Sequence, residues 1–595
     1  MPFSKKWILA VISLAFTTTA FGAPDCKCRP NDGCWPSHDI WQALNTSISG
    51  KLIKPVPAAI VCYPGPLQNL TACSVVVSKL SNEELVRDDP IALDSPSSTD
   101  YGCPPIDFSA GGLITGNCTM GDAPRYVVNA TTWDDVARGI EFARKHNIRL
   151  VIRNTGYDGL GRSTGYGSLE VWVRYLRQGI TFKQRYTSSN NCQKPVWDGS
   201  AFKIAGGYIW EEVYAEAEKE NVIVVGGSDP TVGAIGGWAQ GGGHSPASRD
   251  YGLGVQQILE AEVVLANGSL VTANACENQD LFFAIRGGGG GTYGLVVSTT
   301  VKAYPMKHIV AQVLNVSPLT DTYIPVFMDA LTLIYSEYPD LNDAGFSGYG
   351  TWGVQSPLIA INNSTTGYNH RLGAFGRSID DAKITFEPLM LKLAQFNASL
   401  SISATYTSFP TYAAYYAALA VSRYGAGDAY VLGSRLFNRK ALKASMKDLK
   451  EMLNVVAGSS GQLTRTTVCL VSGGQVFVPD YTAGLNPAWR SSYVHQMVRR
   501  GWSAGTDAAV AQEIKDEMLY AKAGAMKKLA PYTGCYMNEC DARDPDYLKD
   551  FYGQSLSKLE EIKRAYDPHD VFYCPTCVGS NRWKLEANGT LCRNV

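Results

Sequence analysis

Short apolar runs alternate with amphipathic helical stretches through the middle of the chain. Residues 126–128 and 150–152 are apolar runs of strand length, and residues 134–146 between them carry apolar side chains at helical spacing behind a threonine cap. The same patterns predict a helix over 210–219, strands over 222–225 and 295–303, and a hairpin of 258–265 and 269–273 that turns at Asn267-Gly268. This alternation predicts an α/β unit over residues 121–305.

The pattern changes beyond residue 305, where longer helical stretches alternate with strand-like runs. Helices are predicted over 323–335, 378–395 and 439–456, and a strand over 399–406. This alternation predicts a second, α+β unit over residues 306–545. Residues 23–120 are rich in Cys and Pro and are expected to be irregular, and the tail 546–595 is expected to return to the first unit.

The N-terminus has the pattern of a secretory signal. Lys5 and Lys6 precede an apolar run over 7–16, and a small-residue cleavage site lies before Ala23. The run is short for a membrane span, so residues 1–22 are expected to be cleaved and no span to remain.

The 15 cysteines concentrate at the two ends of the chain, as in a secreted, disulfide-stapled protein. Their odd number leaves at least one thiol unpaired, and the pairing is open. Cys574-Pro-Thr-Cys577 lacks a second pair at zinc spacing, so we expect it to be structural and predict no metal site. Ten N-x-S/T sites agree with secretion.

Composition and charge exclude several classes of protein. The 595 residues are 45% hydrophobic and 18% charged, which is typical of a soluble globular protein. Lys and Arg number 53 against 54 Asp and Glu, which gives no electrostatic footprint for nucleic acid or an anionic membrane surface.

Glycine is the unusual residue, and it is concentrated in three loops of the first unit. Segments 152–167, 226–254 and 286–294 hold 21 of the 58 glycines. Glycine lets the backbone approach a ligand closely, and consecutive amides form a nest that suits a pyrophosphate. The first two loops each follow a buried strand, where α/β folds place ligands. Tight turns without a ligand are the alternative.

Known nucleotide-binding motifs exclude some classes of ligand but do not identify the ligand. No GxxxxGK[ST] occurs, and Gly159-Leu160-Gly161 lacks the third glycine of a dinucleotide fingerprint. The segment 161–165 does match G-x-S-x-G, with Ser163 as the nucleophile of a hydrolase, but the preceding strand ends ten residues too early.

The loops and the C-terminal segment together resemble a known family. Segments 124–129, 153–165, 226–253 and 278–294 resemble the p-cresol methylhydroxylase-type FAD-binding domain of the vanillyl-alcohol oxidase superfamily. Residues 552–572 resemble the closing segment of berberine-bridge-type enzymes, and the Cys-rich ends resemble fungal isoamyl-alcohol-oxidase-like proteins. The resemblance implies an α+β protein: a two-part FAD-binding domain plus a substrate domain with a large antiparallel sheet.

The same resemblance implies the residues that hold the cofactor. The first loop would wrap the FAD pyrophosphate, the second would line the other side of the dinucleotide, and the third would pack close to it. The cofactor-binding residues implied are Arg153, Asn154, Thr155, Gly156, Tyr157, Asp158, Gly159, Leu160, Gly161, Arg162, Ser163, Asp229, Gly233, Gly236, Gly237, Gly242, Gly243, His244, Gly294 and Val296.

Three departures from the family pattern bear on the chemistry. Tyr157 stands where relatives usually carry a His bonded to the flavin, and Asp229 stands near the position of a second, Cys tether. Ser555-Leu556 replaces an Asn-Tyr pair expected beside the flavin. Non-covalent FAD is therefore predicted, with a lower redox potential.

No catalytic base is assigned from the sequence. His244 is expected to orient backbone, with acid–base work as the alternative, and Tyr157 to neighbour the flavin, with packing as the alternative. The aromatic residues of 406–416 are expected in the core, with a phenolic base or a pocket wall as the alternative.

The resulting expectation is a secreted or endomembrane, monomeric FAD-dependent oxidase. It would pass hydride from an alcohol or secondary metabolite to flavin, with O2 reduced to H2O2. The alternatives are an FAD-binding scaffold for non-oxidative cyclisation, or a degenerate FAD protein.

Overall fold

The computed structural model describes residues 26–81, 83–93, 101–114, 116–189, 192, 197–419, 429–503 and 506–594. The expected signal segment, 1–22, lies outside these residues.

A small, mostly parallel sheet forms the first part of the N-terminal unit. Its strands lie in the order Leu52–Ile53, Tyr126–Asn129, Leu169–Trp172 and Leu150–Arg153, and the last three are parallel. The helix Trp133–Lys145 packs on it and begins at a capping box, in which Thr132 accepts from the amide of Asp135. The two predicted strands and the helix between them are confirmed.

An antiparallel sheet forms the second part of this unit. The predicted hairpin is confirmed as Ile258–Val264 paired with Leu270–Asn274. In sheet order the strands are Ile180–Lys183, Ala201–Ala205, Leu295–Lys302, Ile258–Val264 and Leu270–Asn274. The predicted strand at 222–225 is shorter, Val222–Ile223, and pairs with Tyr304–Pro305.

A seven-stranded antiparallel sheet dominates the second unit. In order its strands are Leu400–Phe409, Ile309–Pro318, Gly367–Phe375, Ser347–Gly353, Thr464–Leu470, Ser492–Trp502 and Ala429–Asn438. Helices Ile324–Asp343, Ile379–Leu393 and Met446–Ala457 bury one face of this sheet in an apolar core. Because side chains alternate along a strand, the other face is free to form the wall of a cavity.

Two sequence expectations about helices were wrong. The predicted helix 439–456 is two helices, Arg439–Lys443 and Met446–Ala457, because the Ser445 hydroxyl accepts from the amide of Asp448 and starts a new helix. Residues 23–120 are not irregular throughout. This segment forms helices His38–Ser47, Leu70–Ser81 and Glu84–Asp88.

The remaining helices lie in the connections and the C-terminal segment. They are Trp210–Lys219, Gly237–Gly241, Ser248–Tyr251, Gly254–Gln257, Gln279–Ile285, Tyr412–Leu419, Ala508–Asp516, Gly524–Leu529, Tyr547–Tyr552 and Leu556–Tyr566. A π-helical segment, Glu517–Ala523, joins two of them, and a last hairpin pairs Trp583–Leu585 with Leu591–Arg593. No helix in the described ranges is both long and apolar enough to cross a bilayer.

Seven disulfides form, and six of them lie within or between the two ends of the chain. Cys26–Cys592 joins the N-terminal segment to the C-terminal hairpin, and the two cysteines of the C-x-x-C pair, Cys574 and Cys577, are bonded to each other. Cys469 is the free, buried thiol that the odd count requires. The other disulfides are Cys28–Cys34, Cys62–Cys73, Cys103–Cys118, Cys192–Cys276 and Cys535–Cys540.

A buried polar chain crosses the core of the second unit. The Tyr338 hydroxyl bonds to that of Tyr368 (2.5 Å), which bonds to Nδ1 of His370 (2.6 Å), and the His370 Nε2 bonds to Gln312. Burial lowers the pKa of His370 to about 3. The folded protein therefore keeps this imidazole neutral.

Replacing His370 with glutamine is expected to make the protein less sensitive to mild acid. The unfolded chain binds a proton at His370 near pH 6.5, whereas the folded chain binds it near pH 3. The stability linked to this group is complete above pH 6.5 and falls as the pH drops toward 3, by about 2 kcal/mol at pH 5. Thermal unfolding at about pH 7 and about pH 5 measures this. An equal fall in midpoint for His370→Gln and wild type would contradict it.

Candidate active site

A cavity of about 850 Å³ lies between the three glycine loops and the open face of the seven-stranded sheet. Its loop wall consists of residues 154–159, 162–163, 227–229, 232–233, 235–238, 240, 244 and 290–291. Its sheet wall includes Asn315, Tyr349, Thr351, Asn369, Arg371, Tyr430, Leu432, Arg465, Thr467, Cys469, Met497 and Arg499. Tyr536, Asn538, Glu539 and Phe572–Cys574 close it from the C-terminal segment.

The structure brings most of the implied cofactor residues to this cavity. Those that line it are Asn154, Thr155, Gly156, Tyr157, Asp158, Gly159, Arg162, Ser163, Asp229, Gly233, Gly236, Gly237, His244 and Val296. The other implied residues do not line the cavity: Arg153, Leu160, Gly161, Gly242, Gly243 and Gly294.

Arg153 is turned away from the cavity. Its buried guanidinium donates to the carbonyls of Val86 (2.9 Å), Asp89 (3.2 Å) and Ala92 (2.5 Å) of the N-terminal segment. Gly156 lies directly over it with a φ of +72°, and a Cβ there would come within 2.2 Å of the guanidinium. This arginine therefore anchors the first loop to the N-terminal segment.

The loops are held together by bonds that the sequence does not reveal. The backbone carbonyl of Gln240 in the second loop accepts from the amides of Gly287 (2.9 Å) and Gly289 (3.2 Å) in the third loop. Arg162 of the first loop donates to Asn538 (3.0 Å), which in turn donates to the carbonyl of Gly237 (3.0 Å). Asn538 therefore joins the first and second loops.

The expected departure at Ser555-Leu556 lies away from the cavity. The Ser555 hydroxyl donates to the carbonyl of Leu485 at 3.2 Å, and neither residue lines the wall. The asparagine that does reach the cavity from the C-terminal segment is Asn538.

The wall leaves room for a dinucleotide at its glycines. A Cβ built on Gly236 or Gly237 would meet no atom within 4 Å, although both residues line the cavity. At Gly233 a Cβ would instead strike the Asn154 amide at 2.6 Å. The open positions form a cradle that side chains would fill, so these residues fit FAD.

Tyr157 and Asp229, which stand where relatives carry covalent tethers to the flavin, contact each other. The Tyr157 hydroxyl donates to Asp229 Oδ2 at 3.2 Å. The other carboxylate oxygen of Asp229 accepts from the Thr231 amide (2.8 Å) and hydroxyl (2.7 Å).

His244 is the centre of a hydrogen-bonded group that joins the loop wall of the cavity to its sheet wall. Its Nδ1 lies 2.9 Å from the Tyr349 hydroxyl, and its Nε2 lies 3.2 Å from both carboxylate oxygens of Glu539. The Nε2 of His495 lies 2.7 Å from the same carboxylate. Four elements thus contribute: the second loop, strands Ser347–Gly353 and Ser492–Trp502, and the C-terminal segment.

The protonation of this group follows from its partners. Burial raises the pKa of Glu539, but its interactions with His244 and His495, including a hydrogen bond to each imidazole, outweigh burial and hold this pKa well below its usual range. A carboxylate accepts hydrogen bonds only, so each imidazole carries a proton on Nε2. In the neutral form of His244, Nδ1 is then a lone pair that can accept from the Tyr349 hydroxyl. Burial raises the pKa of Tyr349, which keeps its proton.

His244, Cys469 and His495 also place one potential metal ligand each within 4.8 Å of one another. Both imidazoles are already bonded to the carboxylate of Glu539, which accounts for their orientation without an ion.

Sequence reasoning missed Tyr349, His495, Asn538 and Glu539. Tyr349 and His495 lie on strands whose neighbours are set by sheet register, since Cys469 pairs with both. Buried polar residues at alternate positions of a strand are the signal that could have marked them.

A two-part α+β unit, a glycine cradle and a sheet that covers it fit a flavin-dependent oxidoreductase. Comparison with known proteins agrees. The FAD binding domain family matches residues 124–274, and the berberine and berberine-like family matches residues 535–579. The second match includes Asn538 and Glu539.

Relatives match along nearly the whole chain. An FAD-linked oxidoreductase of Hypomyces subiculosus (hmp9) is 40% identical over 96% of this chain and 91% of its own length. One from Gibberella fujikuroi (apf9) is 38% identical over 98% and 99%. The crystal structure of the VAO-type flavoprotein MtVAO713 from Myceliophthora thermophila C1 superposes with a TM-score of 0.93 at 40% identity, covering 96% of this chain and 100% of that one. The chain belongs to the VAO-type, berberine-bridge-like family of FAD-linked oxidoreductases.

Proposed function

We propose that this enzyme is an oxidase that passes hydride from an alcohol or a secondary metabolite to FAD, with O2 reduced to H2O2. The observation that carries the proposal is one cavity that has a glycine cradle on its loop wall and the Tyr349–His244 hydrogen bond where the loop wall meets the sheet wall. Bound FAD supplies the hydride acceptor and the reaction with O2.

The chain's own residues would hold and orient the two molecules. The backbone around Gly233, Gly236 and Gly237 would contact the cofactor, and Arg162 and Asn538 would keep the first and second loops together. The substrate would lie against the sheet wall, where Leu432 and Met497 give apolar contact and Thr351 and Asn369 give hydrogen bonds.

A screen for peroxide release tests this function. Purified, FAD-loaded protein is mixed with aliphatic, allylic and benzylic alcohols in air. Peroxide that accumulates with at least one alcohol, at a rate proportional to enzyme, is the expected result. FAD-loaded protein that releases none with any of them would count against the oxidase.

We also propose that FAD is held without a covalent bond. Tyr157 and Asp229 bond to each other, and Asp229 further accepts twice from Thr231, so the carboxylate is engaged within the protein. Precipitating the holoprotein with acid is therefore expected to release its flavin into the supernatant. A yellow pellet that survives washing would contradict this.

We further propose that the protein is secreted and monomeric. Seven disulfides, one of which joins the two ends of the chain, support an oxidising compartment. Expression into the medium and size-exclusion chromatography would test the two points.

A non-oxidative cyclase that keeps FAD as a structural group is the second candidate. The replacement of both tether residues by Tyr157 and Asp229 favours it, because losing such bonds lowers the flavin's oxidising power. It predicts product formation without flavin reduction.

A further inference from the structure

We propose that Tyr349 is the catalytic residue that takes the substrate's hydroxyl proton, and that it passes its own proton to His244. Glu539 and His495 act as positioning residues. The proposal rests on the proposed oxidase function and adds to it the proton acceptor that the sequence left unassigned.

Tyr349 is placed to touch a substrate. It lies on strand Ser347–Gly353 on the same face as Thr351, and both line the cavity, while Trp352 points into the opposite core. Its hydroxyl lies 2.9 Å from Nδ1 of His244, so one hydrogen bond separates a cavity-lining phenol from an imidazole that is 8% exposed.

Tyr349 cannot act as a base by itself while it keeps its own proton, and burial, which raises the pKa of Tyr349, favours the protonated phenol. A neighbouring acceptor removes this difficulty, because the phenol gives up one proton as it takes another. Nδ1 of His244 is such an acceptor in the neutral imidazole, whose single N–H, on Nε2, is directed at Glu539. As in other enzymes with an activated nucleophile or base, the proton acceptor, His244, is itself oriented by a third group, Glu539.

Glu539 stabilises the imidazolium that would form. Its carboxylate lies 3.2 Å from His244 and 2.7 Å from His495, and a negative charge next to a new positive charge lowers the energy of the transfer. His495 is fully buried and fixes the other side of this carboxylate. Because the carboxylate is bonded on both sides, its position does not depend on the substrate.

The step balances in protons and electrons. The substrate's O–H proton goes to Tyr349 Oη, the Tyr349 proton goes to His244 Nδ1, and the C–H electron pair leaves with its hydrogen as hydride to bound FAD. The alcohol becomes a carbonyl compound, and O2 accepts the two electrons in a later step with release of H2O2.

The titratable groups that face His244 are Tyr349, Cys469, His495, Tyr536 and Glu539. Of these, Glu539 alone is a carboxylate. Removing its charge makes the His244 imidazolium less favourable, so the acid limb of the rate should move to lower pH.

The test compares Tyr349→Phe and Glu539→Gln with Tyr412→Phe. Tyr412 is a matched control, because its buried hydroxyl bonds to Ser245, next to His244, but it does not line the cavity. Flavin reduction is followed anaerobically with the alcohol from the aliphatic, allylic and benzylic panel that wild type oxidises fastest. FAD content, reduction by dithionite, reoxidation by O2 and bound transition metal are measured on the same samples.

Tyr349→Phe is expected to slow reduction by the alcohol about 10²–10⁴-fold, with FAD content, dithionite reduction and reoxidation unchanged. Tyr412→Phe should stay close to wild type. Glu539→Gln should slow reduction and move its acid limb to lower pH, which a purely structural loss would not do.

Three outcomes would overturn the relay. The first is that the alcohol reduces the flavin of Tyr349→Phe as fast as that of wild type. The second is that Glu539→Gln leaves the acid limb of the reduction rate at the wild-type pH. The third is that wild type holds a stoichiometric metal that His244→Asn loses, since a metal on His244 would occupy the proton acceptor. Wild-type FAD that dithionite reduces but no panel alcohol reduces would overturn the oxidase function itself, and the relay with it.

Discussion

Replacing Gly237 with leucine is expected to leave the protein folded and unable to hold FAD. The glycine lines the cavity, and a Cβ there meets no protein atom within 4 Å, so the new side chain points into the space assigned to the cofactor. Gly237 begins a helix, where leucine is a better residue than glycine. The purified variant should carry less than about a tenth of the FAD of wild type, since a leucine cannot share a close-packed ligand site.

Gly524→Leu is the matched control for this substitution. Gly524 also begins a helix and also has no atom within 4 Å of its Cβ position, but it lies outside the cavity wall. It should retain normal FAD content, measured by absorbance after the flavin is released. Full FAD content in Gly237→Leu would show that the cofactor does not lie over this part of the second loop.

Replacing Asp567 with asparagine should destabilise the protein by about 3–5 kcal/mol, because it leaves a buried ammonium without its counter-ion. The Lys563 Nζ donates to Asp567 (2.7 Å) and to the carbonyls of Thr292 (2.8 Å) and Phe572 (2.7 Å), and both charged side chains are almost fully buried. Thr292 belongs to the third glycine loop, so the Lys563–Asp567 pair connects the C-terminal segment to that loop. Urea unfolding of the apoprotein measures the loss.

The double variant Lys563→Met/Asp567→Asn separates the buried charge from the lost contacts. It should be more stable than Asp567→Asn alone, because no unpaired charge remains. Asp134→Asn, which breaks the exposed pair with Arg138, should change stability little. A double variant that is less stable than the single one would contradict the buried-charge explanation.

Local sequence patterns predicted the elements that depend on local chemistry. The helix Trp133–Lys145 and the hairpin Ile258–Val264/Leu270–Asn274 lie within a residue or two of their predicted bounds, because a capping threonine and an Asn-Gly turn mark them. The glycine loops were predictable for the same reason, since positive φ and close approach select glycine residue by residue.

The hydrogen-bonded group around His244 was not predictable because its members are far apart in the chain. Glu539 is 295 residues from His244, and its position depends on the fold of the C-terminal segment. Arg153 shows the opposite error. An arginine at the end of a strand suits a phosphate, but the Arg153 guanidinium donates to backbone carbonyls of the N-terminal segment. The sequence of that Cys-rich segment has no helical pattern that would have predicted this contact.

Anaerobic mixing of FAD-loaded protein with the alcohol panel tests the central claim most directly. The account predicts that at least one alcohol bleaches the visible flavin absorbance, and that O2 then restores it with about one H2O2 released per flavin. A flavin that dithionite bleaches but that stays oxidised with every alcohol of the panel would contradict it.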